Sequence, residues 1–173
     1  ELMFAVQPVN RLTWRANATF SRNKVRNFIE YVDDWDNGGQ MRVEQGETDL
    51  AFSPDLIVGS ELVYRFWEKQ GKGRAELTLV TKYVGDQYLD NSSSTDRMLD
   101  AYLVNDLRAN VTLLGLKHAR SIDFNLTVRN LFSNLYESNG WVYSYYLAGQ
   151  RNQDIGLFPQ APLNVLGGVT VRF

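Results

Sequence analysis

The stretch SIDFNLTVRNL, residues 121–131, alternates apolar and polar side chains from Ser121 to Arg129. Ile122, Phe124, Leu126 and Val128 fall on one side of an extended chain. Ser121, Asp123, Asn125, Thr127 and Arg129 fall on the other, because successive side chains of a strand point to opposite faces. This period of two predicts a strand with one apolar and one polar face.

The pattern recurs outward from that strand. Leu12, Trp14, Ala16, Ala18 and Phe20 alternate with Thr13, Arg15, Asn17, Thr19 and Ser21, and Leu107, Ala109, Val111 and Leu113 with Asp106, Arg108, Asn110 and Thr112. Noisier versions occupy 56–67 and 74–88, and the last strand sets Val165, Val169, Val171 and Phe173 against Asn164, Thr170 and Arg172. An antiparallel sheet with one wet face accounts for alternation in a soluble protein. Two features favour a membrane barrel instead. The polar sides carry charges in mid-strand (Arg15, Asp106, Arg108, Asp123, Arg129), which suit a polar lumen. The links also alternate: short ones at QPVNR, EKQGKG and LGLKHAR, long ones at about 33–54, 89–99 and 132–161. Tight turns on one side and long loops on the other mark an outer-membrane barrel.

The expected strands lie at about 1–8, 11–32, 55–67, 74–88, 100–114, 119–131 and 163–173. With short turns in the periplasm, the first of these seven begins outside, whereas a complete bacterial barrel has an even strand number and both ends inside. The expectation is an all-β, antiparallel transmembrane segment of a larger barrel, with partners for its first and last strands supplied by N-terminal strands outside 1–173.

Composition agrees with a folded chain: 44% apolar, 13% aromatic and 22% charged residues. The net charge of -2 and the lack of any Lys/Arg block argue against nucleic-acid binding. There is no cysteine for a disulfide or thiolate site. No run approaches the ~20 apolar residues of a spanning helix, a test that does not address barrels.

The segments NATFSRNKVRNFIEYVDDWDNGG (17–39), VRNLFSNLYESNGW (128–141), FPQA (158–161) and VLGGVTVRF (165–173) resemble the end of the barrel of TonB-dependent outer-membrane receptors. The resemblance extends over nearly the whole chain. It implies a barrel of about 22 strands plugged by an N-terminal domain. Such receptors sit in the outer membrane of Gram-negative bacteria and import scarce nutrients such as iron chelates, haem, cobalamin or glycans, with energy delivered by the TonB complex. This chain would be the C-terminal portion of that barrel, without the plug or the TonB-contacting segment. Its implied partners are the remaining strands, the plug, lipid, TonB through the parent protein, and the barrel-insertion machinery. For that machinery Val169, Val171 and Phe173 resemble the assembly signal.

The outer loops are the expected place of ligand capture, with Trp35 and Asp36 in the first, and Trp141, Tyr143, Tyr145 and Tyr146 in the last. Read from Asp33, the loop DDWDNGGQMRVE meets a calcium-loop template at Asp33, Asn37, Gly38 and Glu44. Trp35 takes the place of its third ligand and flanking helices are lacking, so the expectation is an acidic turn without a metal. No cofactor and no catalysis are expected: His118, the sole histidine, lies in a short turn, and no nucleophile elbow or phosphate loop is present. Three alternatives remain: a small complete barrel acting as an adhesin or structural protein, an outer-membrane enzyme with its catalytic groups on the outer loops, and a lipocalin-like soluble binder whose alternate apolar residues point inward.

Overall fold

A computed structural model describes all 173 residues and contains strands joined by turns, with a single short 3-10 segment at Thr95–Arg97. The strands are β1 (Leu2–Val9), β2 (Leu12–Phe20), β3 (Lys24–Asp34), β4 (Gln40–Asp49), β5 (Leu56–Lys69), β6 (Gly73–Val84), β7 (Gln87–Tyr88), β8 (Met98–Leu99), β9 (Tyr102–Leu114), β10 (Ser121–Arg129), β11 (Glu137–Leu147), β12 (Gln150–Pro159) and β13 (Asn164–Arg172). Seven of them form one antiparallel sheet in the order β1-β2-β5-β6-β9-β10-β13. This is an up-and-down meander, with neighbours joined at one end by the short links and at the other by the long ones.

Register explains why alternation was so clean. Leu126 lies opposite Ala109, Ala109 opposite Leu77, Leu77 opposite Tyr64 and Tyr64 opposite Leu12. A second row runs Val165, Val128, Leu107, Leu79, Leu62, Trp14, Val6. One face is therefore largely apolar across the sheet's full width, broken by a short row of Ser60, Thr81 and Asn105, and nothing in the chain covers it: Leu126 is 48% exposed and Val169 61%. Only 16 of 173 residues are buried, far too few for a soluble domain of this length, so the inward-pointing core of a lipocalin-like binder is absent. Phe4 and Trp14 pack edge to face on this surface with ring centroids 4.8 Å apart.

The opposite face is polar. Rows such as Thr170, Asp123, Thr112, Arg74, Glu68 carry ion pairs and hydrogen bonds between adjacent strands. Arg15 donates to Glu61 at 2.9 Å, Thr112 to Asp123 at 2.7 Å, and Arg172 also pairs with Asp123. The terminal strands β1 and β13 are the two edges of the sheet and do not pair with each other.

Three expected boundaries need correction. The strand expected at 11–32 is two strands: after Phe20 the chain leaves the large sheet, and β3 starts a second one. The strand expected at 74–88 ends at Val84, and Gln87–Tyr88 pairs with Met98–Leu99 in a separate two-stranded ladder. The long links are not irregular. Residues 24–49 and 137–159 form two hairpins, β3-β4 and β11-β12, that join into a four-stranded sheet in the order β12-β11-β3-β4. Aromatics follow the same split. Tyr64, Tyr83 and Trp67 share the apolar face by register, whereas Tyr102 lies on the polar face, stacked on Tyr136 at 4.4 Å, and Tyr88 belongs to the small ladder.

Candidate functional site

The two hairpins lie within the long links, at the long-link end of the large sheet. Their backbones pair only near their tips, where β3 and β11 run parallel and pair at Asp33 with Tyr145 and Asp34 with Tyr146. Each tip has the turn chemistry its sequence demands. In β3-β4, Asp34 accepts the backbone N–H groups of Asp36 and Asn37 at 3.0 and 3.1 Å, and Gly38 and Gly39 take positive φ of 77° and 80°. In β11-β12, Ala148 and Gly149 both have positive φ, 54° and 69°, the geometry of a two-residue primed turn.

The tips are latched to each other. Asp36 reaches across and accepts the N–H groups of both Ala148 and Gly149 at 2.8 Å, so its carboxylate sits in the small anion-binding nest that the turn creates. The backbone N–H of Trp35 donates to the Tyr146 carbonyl at 3.0 Å. The Trp35 ring stacks on Tyr145 with centroids 4.2 Å apart, and Tyr145 in turn lies 5.7 Å from Tyr143. The Tyr143 hydroxyl donates to Asp33 Oδ2 at 2.6 Å, and Gln40 Nε2 to Asp33 Oδ1 at 2.9 Å. Those two hydrogen bonds hold the Asp33 carboxyl below its ordinary pKa, and the same bond from Tyr143 pushes the phenol up.

Of the residues expected to share a capture surface, Trp35, Asp36, Tyr143 and Tyr145 come together in this way. Trp141 lies on the same side of β11 but packs its indole across Gly156, its partner on β12, where any Cβ would collide with it. Tyr146 points to the opposite face of β11 and contributes its carbonyl. Of the calcium-loop positions, Asp33 is engaged by Tyr143 and Gln40, and Glu44 is paired with Ile29 in the β3-β4 ladder.

Beneath the latch lies a network that sequence reading missed. The segment 87–99 packs against β11 and supplies Leu89 and Leu99, which with Val32 are among the few buried apolar residues. From it Arg97, with its side chain 4% exposed, extends Nη1 to Asp90 at 2.6 Å and to Glu30 at 3.1 Å, and Nε to Gln153 at 2.8 Å. Arg151 also pairs with Glu30. Burial opposes the charge on Glu30, but donors from Arg151, Gln45 and Arg97 outweigh it and leave the carboxyl below its ordinary pKa. Burial likewise opposes the charge on Asp90, and hydrogen bonds from Ser92 and Arg97 outweigh it. One guanidinium thus ties together β3, β12 and the underlying segment.

On the large sheet, Arg15, Asp106, Arg108, Asp123 and Arg129 occupy the polar face by register, as their alternation implied. Asp106 has a local task as well, accepting the N–H of Asn130 at 2.9 Å. Asn130 is 3% exposed and donates its amide to the carbonyls of Asn134 and Ala161, closing the base of the last long link. Val169 and Val171 lie on the apolar face opposite Phe124 and Ile122 on the edge strand β13, and Phe173 is 92% exposed.

This fold has a solved counterpart. The chain is similar to the ferric yersiniabactin uptake receptor FyuA from Yersinia pestis, with a TM-score of 0.55 and 14% sequence identity over 95% of this chain and 21% of that one. At that identity the likeness is one of fold, and the chain spans about a fifth of the receptor's length. The sequence matches no protein-family model and no curated protein. The likeness covers the large sheet and the hairpins together, since it takes in 95% of this chain.

Proposed function

We propose that residues 1–173 are the C-terminal part of the barrel of a TonB-dependent outer-membrane receptor. That receptor takes up a scarce nutrient across the outer membrane of a Gram-negative bacterium, and the latched hairpins help to capture it. The observation that carries this reading is the large sheet itself. One face is apolar and uncovered, the other is charged, and both edges are unpaired, so it needs lipid on one side, a polar filling on the other and further strands at each end.

Within that receptor Arg15, Asp106, Arg108, Asp123 and Arg129 face the lumen and the plug, and Val169, Val171 and Phe173 present the edge strand to the insertion machinery. A stable hairpin assembly above the barrel mouth favours a receptor over an adhesin, because its aromatic and acidic groups converge on a latch and a cleft. The ligand is one of the classes such receptors import: a ferric chelate, haem, cobalamin or a glycan.

The test uses the full-length protein in cells with and without the energy-coupling complex, offered that panel of nutrients in labelled form. Accumulation of one of them that depends on the coupling complex is the expected result. Recovery of the full-length protein in the soluble fraction, or accumulation indifferent to coupling, would overturn the reading.

A further inference from the structure

Where β3 and β11 part below their short parallel pairing, the two hairpins leave a fork between them. The fork is a cleft of about 300 Å³, at the small end of ligand pockets. Its walls are Phe28 and Tyr31 from β3 and Val142 and Tyr143 from β11. Three carboxylates, Glu30, Asp33 and Asp90, border it, and no lysine, arginine or histidine does.

The charges around this cleft do not cancel. Glu30 and Asp90 are engaged from behind by Arg97 and Arg151, two guanidiniums against two carboxylates. Asp33 has no cation in contact; its only side-chain partners are the Tyr143 hydroxyl and the Gln40 amide. The nearest basic residue along the sheet, Arg42 beside Tyr31, is already held by Glu44 at 2.5 Å. One full negative charge is left at the rim, beside Tyr31 and Tyr143. Ser144 borders the same cleft, and its Oγ, turned away from solvent, has no hydrogen-bond partner. A buried hydroxyl without a partner is costly unless something supplies one.

We infer that the fork between the two hairpins is a binding site for a monocationic amine carrying an apolar or aromatic body. The ammonium group would pair with Asp33 and lie against the faces of Tyr31 and Tyr143, which attract cations through their ring quadrupoles. The body would enter between Phe28 and Val142. An anionic ligand is disfavoured, since it would approach three carboxylates with no cation lining the cleft to receive it. The inference names the chemical class of ligand for the capture site and rests on that reading of the hairpins.

The experiment is calorimetric titration of the purified full-length protein in detergent with tyramine, its uncharged analogue 4-ethylphenol and its anionic analogue 4-hydroxyphenylacetate. Tyramine is expected to bind saturably and at least about tenfold more tightly than 4-ethylphenol, the size of a charge-assisted contact, and the anion not at all. Asp33→Asn keeps the shape of the side chain and one acceptor oxygen, its amide able to donate to the Tyr143 hydroxyl, and is expected to erase the preference for tyramine. Tyr143→Phe keeps the ring and frees the carboxylate, and is expected to retain it, which guards against a loss caused by misfolding. Absence of saturable tyramine binding, equal affinity for the uncharged analogue, or an unchanged preference in Asp33→Asn overturns the inference. Because the titration needs no energy coupling, its failure alongside coupled uptake removes only the ligand class, whereas binding without uptake removes only the transport reading.

Discussion

Arg97→Met should open the hairpin assembly while leaving the large sheet intact. In the wild-type chain the guanidinium is 4% exposed and contacts Asp90 at 2.6 Å, Glu30 at 3.1 Å and Gln153 at 2.8 Å. Removing one partner of a buried ion pair costs about 3 to 5 kcal/mol, because a carboxylate stays behind uncompensated. Neither carboxylate is fully stranded here. Glu30, 12% exposed, keeps Arg151 and Gln45, and Asp90, 27% exposed, keeps the hydroxyl and N–H of Ser92. The lower end, about 3 kcal/mol, is therefore the expectation, and methionine fills most of the vacated volume. Native-state hydrogen exchange on the full-length protein separates the two sheets. The amides of Val32 and Ser144 should exchange roughly a hundredfold faster, as about 3 kcal/mol of local opening requires. Those of Val111 and Phe124 should not change, because Arg97 touches no strand of the large sheet. Uniform acceleration in both sheets, or none in either, would refute the idea that this guanidinium ties the hairpins to the segment beneath them.

Leu126→Arg places a charge in the middle of the apolar face and should cost about 2 to 4 kcal/mol of membrane assembly, read as loss of folded protein in the outer membrane; Asp123→Asn on the polar face should assemble normally. Asp36→Ala removes both acceptors from the Ala148–Gly149 turn at a cost of about 1 to 3 kcal/mol, and protease should then cut at the tips first. Acid should loosen the hairpins as well. Glu30, Asp33 and Asp90 have folded pKa values below their ordinary 4.5, 3.8 and 3.8. Their stabilisation is thus complete above those ordinary values and is lost as pH falls below them through the lowered folded ones. Trp35 fluorescence should report the loss only below about pH 4, and a midpoint near neutrality would contradict the assignment.

The large sheet was legible because each of its strands faces two uniform environments, so every second residue reports the same solvent. Leu107, Ala109, Val111 and Leu113 show that pattern with no exception, whereas β5 and β6 read more noisily because Ser60 and Thr81 sit on the apolar face and Val63 and Val80 on the polar one. The hairpins were not legible. In β3, Phe28 and Glu30 share one side while Tyr31 and Asp33 share the other, so neither face is uniform and period two carries no hydrophobic contrast. Their pairing depends on contacts far apart in sequence, Asp36 with Gly149 or Glu30 with Arg151, and no local rule predicts those. Trp35, Tyr143 and Tyr145 could be chosen for aromatic density in long links, a signal that also picked Trp141, whose ring serves to cover Gly156. Arg97 was invisible because a lone arginine in SSSTDRM looks like any solvated loop cation.

The two sheets differ in what holds them. The large one is a continuous hydrogen-bonded ladder whose apolar face awaits an outside solvent, so its stability belongs to the membrane and to strands beyond its edges. The small one is held from within, by a latch of one carboxylate on two backbone N–H groups and by a buried arginine beneath. The backbones of its two hairpins pair along β3 and β11 only at their tips, and the fork below stays open with an unbalanced Asp33 at its rim. A ligand that bridges Asp33 and the walls of the fork would add contacts between the hairpins to the two side-chain contacts the protein makes there, Tyr143 with Asp33 and Arg151 with Glu30. Binding would thus stiffen the assembly from base to tip, and Arg97 would set how much of that stiffness exists before the ligand arrives.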